Sequence, residues 1–163
     1  MIRHGAGIML GVRYLFRLTA AAGLFALVMS VTARAAPSAE PTVEEMKGRL
    51  SSTSIGDRPH LCVQIAQKQL ANADKLYAAA DVEKGEAGLV DVVTFSELAR
   101  DYAIQSHKYQ KQTEIAVRAM TRKLSELMHS LGHDDQAPVR SAISRLDRVR
   151  DDLLMAMFPK GAR

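Results

Sequence analysis

The chain has 163 residues, with 22 Lys+Arg against 18 Asp+Glu, 5% aromatic residues, no tryptophan and one cysteine. So short a chain holds one modest domain, and with few aromatics its interior must be filled by alanine, leucine, valine and methionine, which suits helix-on-helix packing and argues against a sheet. A single cysteine excludes an internal disulfide framework and haem attached through C-x-x-C-H.

The first 35 residues read as a secretory signal peptide. Arg3, Arg13 and Arg17 make a basic opening, Leu18 to Ala33 is an uncharged run, and Ala33-Arg34-Ala35 places small residues at a cleavage site. The uncharged run falls short of the roughly 20 residues a membrane span needs. The expected mature protein therefore begins at Ala36 and keeps no stable membrane span. Met9 is an alternative start. Cleavage removes Arg3, Arg13, Arg17 and Arg34, which lowers Lys+Arg from 22 to 18 and leaves it equal to Asp+Glu. The mature net charge is zero, and nucleic acid is not an expected partner. The expected location is a periplasm or the extracellular space.

Residues 36–57 read as a disordered spacer, punctuated by Pro37, Pro41, Gly48 and Gly56. A helical domain is expected over 58–158, with a tail over 159–163. Its first helix spans about 58–80, with Asp57 as N-cap, Pro59 in the first turn and a stripe of Cys62, Ile65/Ala66, Gln69/Leu70, Ala73, Leu76/Tyr77 and Ala80 turned inward. Cys62 on that stripe reads as a small buried apolar residue; the competing reading is an intermolecular disulfide. The segment Leu76 to Lys84 resembles the turn inside a tetratricopeptide repeat over about ten residues. No second copy follows at roughly 34 residues, so a repeat array is not expected.

From Leu89 to Leu131 there is neither glycine nor proline, and apolar or small residues recur every three or four positions. The spacing predicts one long central helix over about 82–131, followed by a last helix over about 136–158. That helix carries Pro138 in its first turn and an inward row of Val139, Ala142/Ile143, Leu146, Val149, Leu153 and Met157. Gly132 is expected in the left-handed position that ends the central helix. The expected fold is all-α, a three-helix antiparallel arrangement around the central helix. The alternative is a four-helix bundle if that helix breaks near 105–112, where Gln105 to Gln112 is polar nearly all round.

The sequence holds no Gly-rich phosphate loop, no nucleophile elbow and no H-E-x-x-H, so no enzyme activity and no cofactor are expected. His129 and His133 stand four apart with Asp134 adjacent, a spacing that could hold a metal ion if helix continued past Gly132. His60 with Cys62 is a shorter pair of the same kind. Arg140, Arg145, Arg148 and Arg150 resemble an anion-binding patch, but Asp147, Asp151 and Asp152 interleave them, which points to a solvated, ion-paired face. Tyr102, His107 and Tyr109, on the polar middle, form the candidate interaction surface for a protein partner or a second copy. The expected function is a small exported helical protein with an interaction or structural role. The alternative is a periplasmic metal-binding or stress-responsive binding protein.

Overall fold

The computed structural model describes residues 40–159, and the expected signal peptide lies outside them. Five α-helices form: α1 (Val43–Arg49), α2 (Arg58–Ala78), α3 (Val82–Ser106), α4 (Gln110–Ser130) and α5 (Gln136–Met157), with one 3-10 turn at His133–Asp135. No strand occurs among the described residues. None of the described helices is long and apolar enough to cross a membrane.

The architecture is two helical hairpins, α2 with α3 and α4 with α5, joined mainly where α3 meets α5. The first hairpin closes tightly. At the end of α2 the Asp81 N–H donates to the Leu76 carbonyl at 2.9 Å and the Ala80 N–H to Tyr77 at 3.0 Å. That double bond pattern ends helices on a left-handed residue, and here Ala80 takes the position (φ 60°) that glycine usually fills. Small residues then let the two helices approach closely. A methyl group on Gly88 would stand 3.2 Å from Ala73 Cβ. Ala66, Ala73, Ser96, Ala99 and Ala103 are wholly buried along this hairpin. In the second hairpin larger side chains fill the interior: Val117 and Leu124 from α4 meet Val139, Leu146, Val149 and Leu153 from α5 in the same core.

The long central helix does not run through. It ends at Ser106, and His107 (φ 55°) and Tyr109 (φ 61°) both take left-handed conformations before α4 begins at Gln110. Local bonding explains how a segment without glycine or proline can break. The Ser106 hydroxyl donates to the Tyr102 carbonyl at 2.6 Å and accepts the Lys108 N–H at 3.3 Å, offering the backbone a partner outside the helical ladder. Because the segment has no apolar row to bury, packing did not hold the helix straight.

Part of the expected spacer is folded. Thr42-x-x-Glu45 makes a capping box: the Thr42 hydroxyl accepts the Glu45 N–H at 3.2 Å and Glu45 accepts the Thr42 N–H at 2.8 Å. Helix α1 buries Val43 and Met46, and Lys47 reaches Asp91 on α3 at 2.9 Å. The Lys68 ammonium, on α2, donates to the Pro41 carbonyl at 2.7 Å. Burial of two apolar side chains outweighs a composition that reads as loop.

Gly132 is also placed differently from expectation. It has φ −61° and ψ 156°, an extended conformation open to any residue, and α4 is ended by Leu131 turning extended. Neither Asp57, Asp81 nor Asp135 caps its helix through the side chain. Asp57 accepts from the Ser54 hydroxyl and Asp81 pairs with Lys84.

Candidate interaction surface

Of the residues singled out on the polar middle, the two tyrosines are drawn against the start of α2. The Arg58 guanidinium lies over the Tyr102 ring at 5.2 Å. Tyr109 stacks on His60 with ring centroids 5.9 Å apart. The Lys108 side chain runs across Gly56, so close that a Cβ there would stand 3.0 Å from Lys108 Cδ. His107 is exposed, Tyr102 half-buried, and Tyr109 retains an exposed edge. These contacts use the tyrosines to brace the joint between the hairpins, and the stack on His60 engages one of its two left-handed residues, Tyr109.

The metal candidates are separated by the backbone. His129 lies in the last turn of α4, Leu131 then turns extended, and His133 opens the 3-10 turn with Asp134. A helical i,i+4 pair needs an unbroken turn between its members, and that turn is missing. Among the described residues no three His, Cys, Asp or Glu side chains converge as ligands. Cys62 is wholly buried, and burial pushes its thiol up to about 12, with Arg58 a smaller opposing influence. It is a packing residue, out of reach of a second thiol. His60 is exposed on the adjoining turn and is engaged by Tyr109.

The surface of which sequence reasoning saw only the α5 half lies where α3 meets α5. An open groove of 440 Å³ is lined by Glu97 and Arg100 from α3 and by Arg145, Arg148, Asp151, Asp152 and Met155 from α5. A second groove of 200 Å³ adjoins it, lined by Glu86, Leu89, Val90 and Val93 on one side and Pro138, Ser141 and Ala142 on the other. Arg145 borders both. Its guanidinium holds Glu97 bidentately, with Nη2 at 2.8 Å from both carboxylate oxygens. Arg100 reaches across to Asp152 at 2.8 Å. The two pairs clamp α3 to α5, and such fork-to-carboxylate geometry fixes register as well as charge. On the far side of α5, Arg150 and the α4 residue Arg118 both approach Glu114, whose carboxylate is buried between the helices.

Half of this ionic face was visible as the Arg and Asp alternation on α5. Glu97 and Arg100 belong to a distant part of the chain, and only the fold brings them into line. The groove gathers three cations and three anions, so it offers a patterned surface of no net charge. Beside the charges, Val90 and Met155 leave 60% and 62% of their surface in water.

Compared with known protein families, curated proteins and solved structures, the chain matches none.

Proposed function

We propose that the chain is a small exported protein that acts by binding protein, through the face shared by α3 and α5, and carries out no catalysis. The observation that supports this most is the pairing of two adjoining grooves with exposed Val90 and Met155 on one face. Apolar side chains set among fixed, paired charges are the composition of a protein-binding patch, in which charge sets register and the apolar groups supply affinity. The joint at His107–Tyr109 keeps the hairpins in the arrangement that builds this face. Export is supported by the basic, uncharged and small-residue order of the first 35 residues.

A photo-crosslinking residue at Val90 or Met155, introduced into the full chain in producing cells, tests the binding role. Protein adducts at both positions, and not at exposed Gln67 on α2, are the expected result. Adducts at Gln67 alone, or at none of the three, would overturn it. Intact-mass analysis of the native protein tests export, which fails if residues 18–33 are retained.

A further inference from the structure

We infer that the partner of the α3–α5 face is a second copy of this chain, bound with its α5 antiparallel to the first; the inference rests on the binding role of that face proposed above. The outward stripe of α5 runs Pro138, Ser141, Arg145, Arg148, Asp151 and Met155, at three- and four-residue steps, and Phe158 follows as the first residue past the helix. Within it Arg145 is committed to Glu97, and Asp152 beside it to Arg100. Arg148 and Asp151 make no hydrogen bond or ion pair among the described residues, and both are exposed.

A two-fold axis between Val149 and Arg150 sets Arg148 of each copy against Asp151 of the other. A surface that is to pair with itself must be self-complementary, and one free cation and one free anion on either side of the axis meet that requirement. The same operation acts on the ends of the stripe. Phe158, 70% exposed, stands as far from the axis as Ser141 does on the other side. Each Phe158 is therefore carried to the level of the other copy's 200 Å³ groove, where Val90, Val93 and Pro138 offer apolar surface beside Glu86 and Arg145. A single axis thus satisfies both the spare charges and the most exposed aromatic side chain among the described residues.

The stripe is roughly 30 Å long, and with the flank of α3 roughly 20 Å wide. It can bury about 1,200 Å² in total, the lower bound for a specific interface, so a micromolar dimer is expected.

The test is sedimentation equilibrium on protein purified in the form that the cell retains. Wild type dimerises reversibly in the micromolar range. Arg148→Asp alone and Asp151→Arg alone each set like charges together twice, because the interface repeats every substitution, and each weakens the dimer at least roughly tenfold. Mixing these two variants restores pairing as a heterodimer. Phe158→Ser weakens self-association by a similar factor. All three positions are exposed, and unchanged circular dichroism checks that the variants fold. A wild type that stays monomeric at millimolar concentration overturns the inference, as does a mixture no tighter than its components. Crosslinks from Val90 and Met155 separate the two levels: adducts of a different mass, from a chain that is monomeric, refute the second copy and keep the binding face.

Discussion

Gly85 and Tyr77 meet so closely that a methyl group on the glycine would stand 2.9 Å from Cε2 of the ring. This contact lies just past the first interhelix turn and fixes how near α3 comes to α2. Gly85→Ala gains the better helix former but forces the ring to shift, and the net result is a loss of about 1–2 kcal/mol of stability. Tyr77→Leu gives way to the new methyl, so the double variant loses less than the sum of the single ones. A double-mutant cycle by urea denaturation measures the coupling, and strict additivity would mean that the ring does not set the spacing.

Two turns exchange the roles that their residues suggest. Ala80 holds a left-handed conformation that costs a Cβ-bearing residue, whereas Gly132 sits in a conformation that any residue can adopt, with only Asp135 Oδ2, at 3.9 Å, near the place of its missing Cβ. Ala80→Gly is expected to stabilise the fold by about 1 kcal/mol. Gly132→Ala is expected to be neutral or to stabilise by about 0.5 kcal/mol, since it restricts only the unfolded chain. Denaturant midpoints check both, and a large loss on Gly132→Ala would show a left-handed Gly132.

The joint between the hairpins makes a third case. His107→Gly relieves one left-handed residue that has no stacking partner, and is expected to raise stability by about 1 kcal/mol. Tyr109→Gly relieves the same kind of strain but gives up the stack on His60, so it gains less than His107→Gly. Thermal melts of the two variants and of His60→Ala with Tyr109→Gly order these effects. Equal gains at 107 and 109 would mean that the stack contributes nothing.

Alkaline pH acts on the core. Burial raises the Cys62 thiol from its ordinary 9.0 to about 12; burial, with Glu86 and Asp135 nearby, raises the Tyr77 hydroxyl from 10.0 to about 12. Folding favours the protonated form of both. Their contribution is therefore complete below pH 9 and is lost as pH climbs from 9 for the thiol, and from 10 for the phenol, towards about 12. The difference in Tm between wild type and Cys62→Ala is expected to shift in favour of the variant between pH 8 and pH 11. A constant difference would show a thiol that titrates as in an unfolded chain.

Much of the helical core was legible. The inward rows of α2 and α5 follow from the three-and-four spacing of Cys62 to Tyr77 and of Val139 to Leu153, because those helices bury one face along most of their length. Ala80, read as the end of the first row, lies past the helix and is exposed, and Met157 is only half-buried. The break at His107–Tyr109 was not, since no residue there forbids helix. It depends on Ser106 bonding the backbone and on His60 and Arg58 arriving from elsewhere in the chain. Helix α1 had a readable signal in Thr42-x-x-Glu45, which was outweighed by the glycines and prolines around it. On the α3–α5 face, the charges of α5 could be read from spacing. Their partners Glu97 and Arg100 could not, because charge alternation along one helix carries no information about which helix lies beside it.

The joint at Lys108 divides the described domain at a point where each half already contains a complete helical pair. Most of the packing inside a half links residues a few dozen positions apart, so each pair can begin to assemble while the other is still forming, and folding is expected to be fast. The slow event is the meeting of the halves, when Glu97 finds Arg145 and the long closing loop is finally tied. A nick beside Lys108 would then leave two fragments that recognise each other, and native structure should return when they are mixed.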